Sequence, residues 1–181
     1  MPDVPPSRLP HVRVLRRYRT AMVLFMIGLI LSGLTAFPLQ REIEGIVSLR
    51  GLQSASPESN MSSFDRWMLI VRDGLRETDS HYPWVGYGTD WLAMAHLAIA
   101  VFFIGPLVHP RKNIWVLQAG LIACVMVIPV ALICGEIRQI PWGWRIFDCS
   151  FGIIGALPLL YCLRQIRKMP RQQSSVRCDA D

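Results

Sequence analysis

The stretch Ile114–Cys134, which reads IWVLQAGLIACVMVIPVALIC, decides the fold class of this protein because its 21 residues carry no charge. A helix that rises about 1.5 Å per residue crosses the roughly 30 Å hydrocarbon core of a bilayer in about 20 residues. Three further apolar stretches have a similar length: Ala21–Pro38, Trp91–Val108 and Ile146–Leu163. The sequence therefore predicts an all-α, polytopic membrane protein whose residues 20–163 form a four-helix transmembrane bundle.

The composition agrees with a membrane protein. Hydrophobic residues make up 52% of the 181-residue chain and charged residues only 18%, against averages of about 45–50% and 25% in soluble proteins. A net charge of +6 would suggest nucleic acid as the partner of a soluble protein, but here the basic residues flank apolar segments. We therefore expect a lipid bilayer around the chain and no nucleic-acid partner.

The distribution of positive charge predicts how the chain is oriented. Twelve of the nineteen Lys and Arg residues lie in the tails, 1–19 and 164–181, and in the short loop after the second span. Residues 39–90 instead hold eight acids against five arginines. Because basic loops stay in the cytoplasm, we expect both termini inside, the 39–90 loop outside and, from the arginine-rich flanks, a bacterial inner membrane. The first span resembles a signal peptide in its basic start, but its apolar run is too long, so we expect an uncleaved helix.

Two amphipathic segments interrupt the acidic loop. Apolar residues recur at helical spacing from Leu39 to Arg50, where Gly51 ends the pattern, and again from Phe64 to Leu75. Ser62 followed by Asp65 has the spacing of a capping box at the start of the second segment. We expect an extracytoplasmic helical segment that either forms a hairpin over the bundle or lies flat among the lipid headgroups.

An aromatic segment, His81–Trp91, precedes the second span and reads HYPWVGYGTDW. Trp and Tyr are enriched where a membrane protein crosses the lipid headgroups, so the pattern favours an interfacial aromatic belt. The alternative is a turn-rich loop whose rings stack on a ligand.

One candidate polar site lies inside the apolar segments. His96 and Asp148 sit at matching depths, roughly 6 to 8 Å below the outer aromatic residues at 1.5 Å per residue. An ionisable group at that depth costs about 2.5 to 3.5 kcal/mol on insertion scales, so it is expected to face protein. Asp148 is then placed to hold a ring N–H of His96, while Asp90, Glu136 and Arg145 surround the same outer end.

Several roles remain open for these residues. The purely structural role is a buried clasp of His96, Asp148 and Arg145 that fixes helix register. His96 has no partner histidine for a haem, so a redox or proton-handling role would need a quinone or a haem ligand from another subunit. A small transporter with the pair in its path is a third class, and a metal site that adds Cys134 and Cys149 lacks diagnostic spacing.

The function expected from these residues is non-catalytic. HExxH, GxSxG and CxxC motifs are missing from the sequence, and it assigns no cofactor. Gly28 with Ser32, and Gly152 with Ala156, are small-residue pairs of the kind that let membrane helices approach closely. We expect an accessory, assembly or sensing subunit that docks to other membrane proteins or to itself. Cys134 and Cys149 lie near the outer helix ends, where an oxidising compartment permits a disulfide if their geometry matches.

Overall fold

The computed structural model describes residues 8–57 and 61–169, with side chains described from residue 12 onwards. Seven α-helices and one 3₁₀ helix make up this part of the chain. They are α1 Arg8–Ala36, α2 Leu39–Leu49, α3 Ser63–His81, the 3₁₀ helix Pro83–Val85, α4 Tyr87–Phe102, α5 Ile104–Val108, α6 Ile114–Ile137 and α7 Trp142–Lys168.

Four segments are long and apolar enough to cross a membrane: Val12–Ala36, Pro83–Val108, Ile114–Ile137 and Trp142–Lys168. The second of them combines the 3₁₀ helix with α4 and α5. The all-α prediction with four apolar helices, and shorter helices between the first and second of them, is confirmed. Such segments imply contact with a lipid bilayer, because each needs apolar surroundings for its exposed side chains.

The helices extend beyond the apolar stretches that predict them. Helix α1 already begins at Arg8, within the basic segment 1–19 that precedes the predicted first span. Arginine is a good helix former, and the backbone hydrogen bonds of the span continue into the basic segment. At the other end, α7 carries Arg167 and Lys168 in its last turn, where positive charge interacts favourably with the helix dipole.

The chain divides into two compact units. The first unit combines the described residues up to Met26 with those from Phe102 onwards, and the second unit runs from Ile27 to Val101. In the first unit, α6 packs along α7. Its fully buried side chains include Leu117 of α6 and Leu159 of α7.

Prolines shape the second span. Pro106 lacks an N–H and its ring crowds the carbonyl group four residues earlier, which is that of Phe102. Helix α4 ends at that residue, and α5 restarts with a hydrogen bond from the Leu107 N–H to the Phe103 carbonyl oxygen at 3.1 Å. The Pro106 carbonyl oxygen also lacks its helical donor, because residue 110 is itself a proline. The buried Tyr18 hydroxyl of α1 donates to that oxygen at 2.8 Å and so satisfies it.

The second unit contains the predicted amphipathic pair as a hairpin of α2 and α3. Val47 of α2 and Met68 and Leu69 of α3 are buried. Two residues after the end of α2 at Leu49, Gly51 caps the helix with a φ of +67°, the left-handed conformation that favours glycine. Ser62 caps α3 as predicted, because its hydroxyl oxygen accepts the Asp65 N–H at 3.1 Å.

Exposed ion pairs join the two helices of the hairpin. Arg50 donates to Asp65, and Arg76 donates to Glu44 at 2.8 Å. Hydrogen bonding from Arg76 holds the pKa of the Glu44 carboxyl below its usual value. Arg50, together with the Ser62 hydroxyl, lowers the pKa of Asp65 in the same way. The hairpin is therefore held by a small apolar core and by charge pairs at its surface.

Candidate functional site

Arg145 is the buried charge of the predicted polar site, and it lies in the first unit. Its guanidinium donates to the Ile140 carbonyl oxygen at 2.7 Å and forms an ion pair with the Glu136 carboxylate. The guanidinium also lies 5.5 Å from the centre of the Trp142 ring. A buried arginine needs such partners because an unpaired charge is costly in an apolar environment.

The end of α6 brings this clasp together. Gln139 adopts a positive φ of 55°, and the Ile140 N–H then bonds back to the Gly135 carbonyl oxygen at 2.9 Å. This is the hydrogen-bond pattern of a Schellman cap. A methyl group on Gly135 would lie 2.9 Å from the Arg145 Cγ, so glycine makes room for the arginine stem. The clasp thus joins α6 to α7 through Arg145 and Glu136, whereas the clasp hypothesis grouped Arg145 with Asp148 and His96.

His96 lies in α4 of the second unit and is half-buried. Its Nδ1 lies 2.8 Å from the Leu92 carbonyl oxygen. A carbonyl oxygen only accepts, so Nδ1 carries the proton and donates it within the helix. Nε2 is left for any partner outside the helix. In the neutral ring this nitrogen is an acceptor, so a carboxylate partner such as Asp148 requires the doubly protonated, charged form of the ring.

Asp148 lies in α7 of the first unit with an exposed side chain. His96 and Asp90 belong to the other unit. The structure therefore brings together Arg145 and Glu136 among the five predicted site residues, and the pairing of His96 with Asp148 stays a prediction.

Asp90 lines a cleft of about 420 Å³ in the second unit. Three segments of the chain form the cleft. They are the turn after α1, the last third of α3, and the 3₁₀ helix together with the start of α4. Asp79 and Asp90 are the charged side chains of its lining, and Phe37 and Tyr87 contribute rings. A concave site with apolar walls and a few polar groups is the usual form of a small-molecule site.

Two features of this unit escape sequence analysis. Gly33 is buried, and a methyl group placed on it would lie 3.0 Å from the Ala93 carbonyl oxygen and 3.1 Å from the His96 Cβ. Gly28 and Ser32 are recognised in the sequence because two small residues four apart form a known packing motif. Gly33 has no such partner at that spacing, so the sequence does not mark it as a packing position. The sequence also does not distinguish Asp79 from the other seven acids of the loop. Its position in the cleft depends on how α3 meets α4.

Cysteine and metal chemistry can be judged for the described residues. Cys134 and Cys149 are free thiols, so the disulfide that their positions permit is not formed. Cys149 is directed at the Ile128 carbonyl oxygen, 4.0 Å from its Sγ. Across residues 8–57 and 61–169, His, Cys, Asp and Glu side chains form no group of three or more that suits a metal ion. The sequence Asn60-Met61-Ser62 has the form of a glycosylation sequon, and Asn60 lies outside the described residues.

Comparison with known proteins adds no assignment. No protein-family model, curated protein or solved structure matches this chain.

Proposed function

We propose that this chain is a non-catalytic accessory, assembly or sensing subunit that docks to other membrane proteins or to a second copy of itself. The observation that carries the proposal is a small-residue stripe on α1 that none of the described residues covers. Gly28 has no neighbouring atom within 4 Å of the place where a methyl group would be added. Gly28 and Ser32, one turn apart, are both exposed.

Three buried or half-buried glycines of the spans contrast with this stripe. Atoms of α4 occupy the space where a side chain of Gly33 would lie, and atoms of α6 occupy the corresponding space at Gly152 and Gly155. Small residues in a membrane helix serve close approach, since apolar side chains gain little by leaving lipid for protein. The covered glycines are thus explained by packing within the chain, and Gly28 with Ser32 is explained by a helix from outside it.

The chemistry of the stripe suits a helix as partner. Ser32 offers a hydroxyl beside Gly28, and hydroxyl groups often bond across helices in membranes. Leu24 and Leu31, which flank the stripe, are 63% and 56% exposed. A partner helix would therefore find a shallow groove bordered by large apolar side chains.

The test is to fill the groove. The variants Gly28→Leu and Ser32→Leu should reduce self-association, or co-purification of a partner subunit, in native mass spectra of the protein extracted in mild detergent. Gly143→Leu is the matched control, because that glycine also has open space around it but lies in the first turn of α7. Association that survives both α1 variants would refute the proposal.

The orientation proposed for the chain rests on charge. We propose that both termini are cytoplasmic, that the α2–α3 hairpin is extracytoplasmic, and that the membrane is a bacterial inner membrane. A membrane-impermeant thiol reagent added from outside should label Ser54→Cys and spare Ser174→Cys, a position outside the described residues. Cys134 is exposed and Cys178 lies in the same tail as residue 174, so both are replaced by alanine in both variants. Labelling at residue 174 would reverse the orientation.

A second candidate function follows from His96. The hydrogen bond to Leu92 fixes the ring tautomer, which leaves Nε2 for a quinone, a haem iron or a proton path. Purified protein would then carry a chromophore or bound quinone that His96→Ala loses while its thermal midpoint is retained. Wild-type protein without either bound group would remove this redox candidate.

A further inference from the structure

The cleft of the second unit is lined by two carboxylates, those of Asp79 and Asp90. Asp79 and Asp90 form no ion pair within the described part of the chain. Three arginines of the hairpin form ion pairs elsewhere: Arg50 with Asp65, Arg72 with Asp73, and Arg76 with Glu44. Arg66 donates to the Pro57 carbonyl oxygen at 3.1 Å. Arg41 lines an adjoining hollow and is absent from the cleft lining. The cleft therefore attracts a cation from outside the chain.

The rest of the lining restricts which cation fits. Besides the two carboxylates, the polar side chains of the lining are the uncharged Gln40, Thr78 and Thr89. Leu75, Val85 and Phe37 supply apolar walls. Tyr87 adds a ring whose face attracts organic cations, and such rings are a usual feature of sites for quaternary ammonium groups. These walls suit a cation that carries its own apolar groups.

The place of the cleft along the chain also matters. One wall follows the end of the first candidate span at Ala36, and another is the start of the second span at Pro83. A helix that crosses a bilayer meets the lipid headgroups near its ends. A ligand in the cleft would therefore meet the layer in which lipid headgroups lie.

We propose that this cleft binds an amphiphile whose ammonium head is held by Asp79 and Asp90 and whose apolar part lies against Leu75, Val85 and Phe37. The ammonium group can belong to a membrane lipid headgroup or to a free cationic amphiphile. Both present the same chemistry to the two carboxylates. The site is independent of the docking stripe on α1.

Binding is measured on the purified full-length protein in a neutral maltoside detergent, with hexyltrimethylammonium as the probe and saturation-transfer NMR as the readout. We expect saturable binding that Asp79→Asn and Asp90→Asn each weaken about two- to fivefold, the range of an exposed ion pair. The double variant should lose about tenfold. Glu77→Gln is the matched control, because Glu77 is an exposed acid of α3 that does not line the cleft.

The outcomes separate a site from general surface charge. If Glu77→Gln weakens the probe as much as the cleft variants do, or if both cleft variants bind like wild type, the proposal is wrong. Asp90 also stands in the first turn of α4, where it stabilises the helix, so thermal midpoints are recorded for each variant. Asp79 is exposed near the end of α3, and its variant keeps the test decisive if Asp90→Asn fails to fold.

Competition then identifies the source of the ammonium group. Displacement of the probe by phosphatidylethanolamine, but not by phosphatidylglycerol, assigns the site to a lipid headgroup. Displacement by neither lipid, with the carboxylate dependence intact, assigns it to a free cationic amphiphile.

Discussion

The α6–α7 pair and the α2–α3 hairpin hold two helices together by different means. In the first, Gly152 brings the helices so close that a methyl group there would overlap the Cys124 carbonyl oxygen. In the second, Arg76 and Glu44 reach across exposed surface. Two backbones in contact in the interior cannot make room for an added side chain without moving the helices. At the surface, water can replace either side chain of an ion pair. The same kind of change should therefore cost much more in the first region, and four predictions test that difference.

The largest effect is expected at the backbone contact. Gly152→Val should force α6 and α7 apart, because the atom in its way belongs to the backbone of Cys124. Overpacking of a filled interior costs about 1–3 kcal/mol and sometimes more. We expect a value at the upper end, seen as a lower thermal midpoint of the protein in mild detergent. Gly28→Val, in open space, should leave that midpoint unchanged, and equal loss in both variants would contradict the comparison.

A buried hydrogen bond comes next. Tyr18→Phe should destabilise the first unit by about 1–3 kcal/mol, because the Pro106 carbonyl oxygen then loses its donor and Pro110 has no N–H to offer. Tyr161→Phe, which removes a hydroxyl from a side chain that is 38% exposed, is the control. Both are measured by thermal unfolding in detergent. An unchanged midpoint for Tyr18→Phe would show that this carbonyl is satisfied in another way.

The N-cap of the hairpin should matter less. Ser62→Ala removes the acceptor of the Asp65 N–H and should cost about 1 kcal/mol. The loss should appear as faster hydrogen exchange in the first turn of α3, with α6 and α7 unaffected. Ser62→Asp, which keeps a capping oxygen, should exchange like wild type. Faster exchange throughout the protein would mean that the hairpin and the spans unfold together.

The surface ion pairs should give the smallest effect. The pKa values of Asp65 and Glu44 are lowered in the folded protein, so their contribution is complete at neutral pH. It is lost as the pH falls below the ordinary carboxyl range and through the lowered values. Spin labels at Gly45→Cys and Gly74→Cys, in a background without the native cysteines, should report a broader distance distribution at a pH below the lowered pKa values than at pH 7.

A matched variant controls that pH experiment. Replacing the two acids, Asp65→Asn with Glu44→Gln, should give a broad distribution at both pH values. A wild-type distribution that does not change with pH would mean that the apolar contacts of Val47, Met68 and Leu69 hold the hairpin alone.

Local signals explain why the two helices of the hairpin were predictable. Ser62 and Gly51 act on the backbone within five residues of themselves, so their effect can be inferred before any tertiary contact is known. Gln139 ends α6 with the same kind of cap as Gly51 but without glycine, and its conformation leaves no mark in the sequence. The Arg145 clasp was predicted only in part, because the choice between Glu136 and Asp148 depends on the turn that follows α6.

The sequence by itself determined that the chain is all-α, that four of its helices can span a bilayer, and that two amphipathic helices lie between the first and second spans. Those properties follow from the length and the period of apolar runs, and both can be read from residues that are neighbours in the sequence. Only the tertiary structure decided that Gly33 and Gly152 are covered while Gly28 is open, that Tyr18 satisfies Pro106, and that Asp79 and Asp90 line one cleft. Each of these depends on which face of one helix packs against another. That orientation is set by contacts between residues far apart in the sequence.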